Sequence, residues 1–139
     1  MIESVSSRPR WALWAALVAG AFGLITIFVG GKTILAGPAE RAAAGNIVPF
    51  VLWFNFLAGF AYVAAACGLY LWRRWAALLS ALIAAATIAV FAAFAVHVLL
   101  GGGFEARTVG AMTIRSLIWF IIAAASCRRM GCFVRSPVD

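Results

Sequence analysis

The sequence predicts an all-α fold, a polytopic membrane protein built as a bundle of four transmembrane helices with one short cytoplasmic hairpin. Three observations predict it. Of 139 residues, 66% are hydrophobic and only 11% are charged, and the mean hydropathy is +1.07; soluble domains carry about 45–50% apolar residues. The charges fall between long charge-free runs. The basic residues gather unequally at the two ends of those runs. A single transmembrane domain over 1–139 accounts for the length.

No charged residue occurs from Trp11 to Gly31, from Ala42 to Trp72 or from Trp75 to Phe104. A helix needs about 20 residues to cross a hydrocarbon core roughly 30 Å thick, so each run is long enough. These give helices near 11–31, 47–72 and 75–100. The stretch Ser116 to Cys127 is too short by itself, and a fourth helix near 108–127 is obtained only by placing Arg115 inside the membrane. Arg8 and Arg10 ahead of the first run resemble the start of a secretory leader. Its uncharged run is longer than a leader's usual 7–15-residue apolar region, and it is read as a retained span.

The second element starts after "PAERAAAGN", with Asn46 expected as its cap ahead of Pro49. "RRW" between the second and third helices makes them antiparallel neighbours. The odd-numbered helices both end in consecutive glycines, Gly30-Gly31 and Gly101-Gly102-Gly103, each followed by a Glu and an Arg, a hint of a duplicated two-helix unit. Ala16/Gly20, Ala19/Gly23 and Ala64/Gly68 are spaced as small-xxx-small pairs, which let helix backbones approach closely in lipid.

Arg8, Arg10, Arg73, Arg74, Arg128, Arg129 and Arg135 share one side of this arrangement, against Lys32, Arg41, Arg107 and Arg115 on the other. Positive charge marks the cytoplasmic face, so both termini are expected there, in the inner membrane of a bacterial cell. Trp11, Trp14, Trp72 and Trp75 fall at the same boundary, where interfacial aromatics belong. The net charge of +7 is then a topology signal with an attraction to anionic lipid. The lipid bilayer is the expected partner and nucleic acid is not, since the basic residues form no stripe. Cys67, Cys127 and Cys132 all lie toward the cytoplasmic end, where thiols stay reduced; they are read as unpaired, and "CRRMGC" matches no standard zinc or redox spacing.

Candidate functional residues cluster toward the outer leaflet. The stretch "HVLLGGGFEARTVGAMTIR" holds His97, Glu105, Arg107 and Arg115. Asn55 and Tyr62 share a face of the second helix at i and i+7, and Lys32 closes the outer end of the first. Each has a plain structural reading beside a functional one. Arg115 either snorkels to the interface or binds an anionic or carbonyl group, with Trp119 at i+4 placed to stack on it. His97 is either a neutral imidazole bonded to a carbonyl or to Tyr62, or a donor to a bound headgroup. Asn55 reads as interhelical glue or a ligand contact, Tyr62 as a hydrogen-bonded core residue, Lys32 as an interfacial anchor, and Glu105 with Arg107 as a solvated loop pair.

The sequence holds no intramembrane carboxylate pair, Ser-His-Asp set or metal-ligand cluster, and Met112 is the one remote companion to His97 for a haem. No catalytic residue is assigned, no metal is expected, and the chain is read as lacking an activity of its own. Three functional readings remain. The first is a protein binding a quinone headgroup or lipid among His97, Arg115 and Asn55. The second is an oligomeric transporter or channel for a small solute or ion. The third is a purely structural or assembly subunit. The second is the weaker of the first two, because the cytoplasmic half offers a path only Cys67, Ser80 and Thr87.

A first helix ending "GGKT", a second running through "GLYLWRRWA" into an Ala-rich third, and the overall length together resemble the DoxX-like group of small four-helix bacterial membrane proteins. Such proteins tend to carry an acidic residue in the second helix where this chain has Asn55. The resemblance implies an accessory role in a quinone-linked redox or membrane-assembly system, within a larger membrane complex or a homo-oligomer, and quinone as the one cofactor to consider. Reporter fusions check the charge-derived topology: fusions at the two termini are expected on the cytoplasmic side and a fusion at Gly102 on the opposite side, and termini on opposite sides would overturn it.

Overall fold

The computed structural model describes residues 8–132; Arg135, counted above for orientation, lies outside the described residues. The chain is helical, in the order α1 (Arg10–Leu35), α2 (Pro38–Ala43), α3 (Pro49–Tyr70), α4 (Arg74–Leu99) and α5 (Ala106–Met130). Four of these, α1, α3, α4 and α5, are long and apolar enough to cross a membrane. At 1.5 Å per residue they are roughly 33–39 Å long, a little more than a hydrocarbon core.

Local chemistry sets the ends. Pro38 and Pro49 open α2 and α3 at positions where a missing N–H costs nothing. The cap of α3 is Val48 rather than the expected Asn46, whose backbone N–H is used elsewhere. α4 ends ahead of Gly101 at φ 87° and α5 ahead of Gly131 at φ 72°, the left-handed conformation that glycine adopts without a Cβ penalty. The segment after α1, expected to be a plain loop, contains the single-turn α2.

The packing is inverted relative to a water-soluble protein. Alanine and glycine occupy many interior positions, with Ala12, Ala19, Ala65 and Ala76 fully buried beside the larger Leu69, Phe94 and Met112, while Leu17, Phe28, Phe60 and Ile121 face outward. In water such a surface would drive aggregation. In lipid the outer side chains are solvated by acyl chains, and association comes from close backbone packing. α1 packs chiefly against α3, α3 against α4 and α4 against α5. Between α1 and α5, side chains span a groove floored by Ala15 and Ile122.

α1 and α3 approach closely at Gly23 and Gly59. A Cβ on Gly23 would stand 2.9 Å from the Gly59 carbonyl oxygen, and one on Gly59 would stand 2.7 Å from Ile27. Gly68, half of another small-residue pair, instead receives Trp75 and Ala76 across the α3–α4 hairpin. That hairpin turns at Trp72, a non-glycine residue at φ 51°, while the Arg73 N–H bonds back to the Gly68 carbonyl at 2.9 Å. The Trp72 ring meets Trp11 edge-on at 5.6 Å, tying the start of α1 to the turn.

The reading of three unpaired cysteines is corrected. Cys127 and Cys132 form a disulfide, their Cα atoms 4.8 Å apart; only Cys67 is a free thiol among the described residues. The left-handed turn at Gly131 folds the chain back over the last turn of α5 and delivers Cys132 to Cys127. Counting spacing against zinc and redox motifs missed this, because the pairing depends on a backbone reversal.

Gly59→Leu is expected to force α1 and α3 apart. Overpacking of about 1–3 kcal/mol should lower the melting temperature in detergent, whereas Gly37→Ala, where a Cβ meets nothing within 4 Å, should leave it unchanged.

Candidate functional site

The expected outer-leaflet residues separate into three groups in the structure. Lys32, His97, Glu105 and Arg107 lie at the end of the bundle that carries α2 and the glycine-rich loop, the loop end, whereas Tyr62 and Trp119 lie past the middle of their helices; Asn55 stands apart from the three groups.

The first group ties the two loops together. Glu105, the residue before α5, accepts a hydrogen bond from the Asn46 backbone N–H at 2.8 Å, and the Arg107 guanidinium donates to the Ala44 carbonyl. The two side chains each hold the opposite loop, which corrects their reading as a solvated pair. Gly45, at φ 86°, leaves no room for a Cβ beside the Glu105 carboxylate.

His97 forms the second group. Its Nε2 donates to the Gly103 carbonyl at 3.2 Å, its ring meets Phe50 edge-on at 6.2 Å, and a Cβ on Gly102 would run into the imidazole. It closes the glycine loop onto α4. Of its sequence readings this matches the carbonyl-bonded imidazole, with Gly103 rather than Tyr62 as partner. Lys32 is exposed in the last turn of α1.

Arg115 anchors the third group, deeper in the bundle. It sits nine residues along α5, roughly 14 Å from that helix's start, and is 5% exposed. Its guanidinium lies over the Phe22 ring at 5.3 Å and the Tyr62 ring at 6.0 Å; one nitrogen contacts the Met112 sulfur at 3.6 Å. Trp119, expected to stack on Arg115, packs instead on Tyr62 at 4.8 Å, and Tyr62 stacks on Phe22 at 5.9 Å with the planes 10° apart. Tyr62 and Trp119 are fully buried.

Placing an arginine at a helix centre in a membrane costs about 2.5–3.5 kcal/mol. A desolvated cation on an aromatic face recovers up to about 2 kcal/mol, so two rings offset much of this without supplying a counter-charge. The carboxylates among the described residues are Glu40 in the exposed α2 and Glu105 at the loop contact. Neither reaches the depth of Arg115. The Arg115 Nε, the Tyr62 hydroxyl, the Thr87 hydroxyl and the Trp119 indole nitrogen are buried without a hydrogen-bond partner. The Tyr62 hydroxyl faces Thr87 and Arg115.

Sequence reasoning missed Phe22 as a neighbour of Arg115 and Thr87 as a neighbour of Tyr62. Thr87 was legible: counting back from the glycine loop, the α4 residue opposite Arg115 falls near Val90, and Thr87 is the polar residue one turn deeper. Phe22 depends on the α1–α3 crossing, which no spacing fixes.

Asn55 belongs to none of these groups. It lines a cleft of about 290 Å³ between α1, α3 and α5 at the loop end, with Thr33, Leu52, Glu105, Arg107 and Thr108. Its Oδ1 is buried without a partner. A second cleft of about 410 Å³ adjoins it across Ile47 and Leu52. Among the described residues no group of three His, Cys, Asp or Glu is positioned to hold a metal ion.

No family model matches the chain, nor does any curated protein or solved structure. The functional argument therefore rests on the geometry.

Glu105→Gln and Arg107→Ala are each expected to loosen the loop contact. Amide exchange at residues 44–46 should quicken several-fold in both variants while exchange at the α3–α4 hairpin stays unchanged; unaltered protection at 44–46 would show that the two side chains do not hold the loops.

Proposed function

We propose that this chain is a small integral protein of the bacterial inner membrane that binds the polar head of an amphipathic ligand, a quinone or a lipid, in the outer leaflet. In this reading the basic residues put both termini and the Trp72–Arg73 hairpin on the cytoplasmic face, against which the Cys127–Cys132 disulfide at that end stands as the one contrary sign, and the protein serves as an accessory subunit of a membrane redox or assembly system. The DoxX-like resemblance of "GGKT" and "GLYLWRRWA" supports the second part.

The observation that carries the reading is the Asn55 carboxamide. Its oxygen is a buried orphan acceptor, on a residue that lines a cleft together with apolar Val51 and Leu52 and the charged Glu105 and Arg107. A buried unpaired acceptor costs about 1–3 kcal/mol, a cost that an incoming donor removes. A quinol hydroxyl or the ammonium of a phospholipid head is such a donor, and Arg107 faces the same cleft to meet a carbonyl or phosphate. About 290 Å³ is at the lower limit of small-molecule pockets. It accommodates a head and leaves the tail to the surrounding acyl chains.

The transport reading has less behind it. Ser80, one of its few polar groups toward the hairpin end, is bonded to the Ala76 carbonyl of its own helix at 2.8 Å.

Titration of the nanodisc-reconstituted protein with decylubiquinol and with a short-chain phosphatidylethanolamine tests the proposal. At least one should bind saturably, and Asn55→Leu should weaken it about tenfold, equivalent to about 1.4 kcal/mol. Binding of neither, or equal affinity in Asn55→Leu, would refute it.

A further inference from the structure

The Arg115 layer lies below the cleft and has its own chemistry. It combines one permanent positive charge with an excess of hydrogen-bond donors. Guanidinium and indole nitrogens only donate, and the hydroxyls of Tyr62 and Thr87 each have one proton to give. Their polar atoms named above are all unpartnered, on side chains at least 95% buried. They come from α3, α4 and α5, while α1 closes the fourth side with the Phe22 ring. Across three helices the sequence supplies no carboxylate at this depth. A water molecule bridges donors but leaves the charge uncompensated; a monoanion does both.

We propose that Arg115, Tyr62, Thr87 and Trp119 form a buried binding site for a monoanionic group of carboxylate or halide type, either free in solution or carried on the head of a lipid.

The anion's charge is single because one guanidinium faces it, and a dianion would exchange one uncompensated buried charge for another. Its size is small because the layer is closely filled, with the Tyr62 ring packed against Phe22 on one side and Trp119 on the other. Arginine suits the role, since its planar fork matches a carboxylate's two oxygens and its charge persists on burial. Tyr62 and Thr87 add neutral donors from the facing helices.

The test is thermal unfolding of the full chain in a neutral detergent at constant ionic strength. Sodium formate, acetate and chloride are compared with sodium gluconate, too bulky to enter, and decanoate is compared with decanol. A ligand that binds the folded state raises the melting temperature saturably. Formate, acetate or chloride should do so for the unaltered chain if the anion is free; decanoate alone should do so, with decanol inert, if it is lipid-borne. The rise should disappear in Arg115→Met and persist in Arg129→Gln, which removes the same charge from an exposed position. Tyr62→Phe, which removes only a hydroxyl, and Trp119→Phe, which also leaves a small cavity, should raise the apparent Kd several-fold.

No anion-dependent rise in the unaltered chain, or an equal rise in Arg115→Met, overturns the proposal. If Arg115→Met does not fold, unchanged Kd values in both Tyr62→Phe and Trp119→Phe overturn it. The cleft is read out with quinol and phosphatidylethanolamine through Asn55, and this site with simple anions through Arg115, so each can fail while the other stands.

Discussion

The crossing of α1 and α3 at Gly23 and Gly59 sets what the interior can hold. Because neither glycine has a side chain, the two backbones come together closely enough that Phe22 and Tyr62, beside the crossing, stack almost in parallel. That stack gives Arg115 its aromatic seat. A bulkier residue at either glycine would separate the rings before it affected the rest of the helix pair. Two residues without side chains thus govern whether a charge can be housed several turns inside an apolar bundle.

The bundle as a whole follows from its solvent. In a bilayer, large apolar side chains that turn outward are solvated by acyl chains, and the interior here is left to alanine and glycine, a few larger residues such as Leu69, Phe94 and Met112, and some polar groups. With so little bulk inside, each polar atom is felt. Those near the loops are satisfied: Glu105 by a backbone N–H, Arg107 and His97 by carbonyls. Those at Asn55 and in the layer of Tyr62, Thr87, Arg115 and Trp119 are not. Buried polar groups in folded chains are generally paired; here the loop contacts are, while these atoms and the hydroxyls of Ser116 and Ser126 are not.

Charge-free runs were enough to read the four long helices, because the charges are few and sit at the ends; α1, α3 and α4 begin and end within a few residues of expectation. The fourth, expected over 108–127 with Arg115 inside it, runs from Ala106 to Met130 and ends at the left-handed Gly131. The candidate residues were recognisable as a set, being the few polar groups toward the loop end. Their grouping was not. Depth along a helix is legible from spacing, but rotation about its axis is decided by tertiary packing. His97 therefore points to a loop carbonyl and Asn55 to a cleft, while Tyr62 joins Arg115. The disulfide escaped for a related reason, resting on one left-handed glycine.

The seam between α1 and α5 has a consequence for robustness. Elsewhere neighbouring helices pack backbone to backbone, but here the guanidinium reaching Phe22 is among the side-chain contacts that bridge the gap. Toward the aqueous side, the two loops are stitched across the top of the bundle. The wall between α1 and α5 is therefore made of interlocking side chains, and it yields to a change in any one of them more readily than the closely packed α1–α3 contact does.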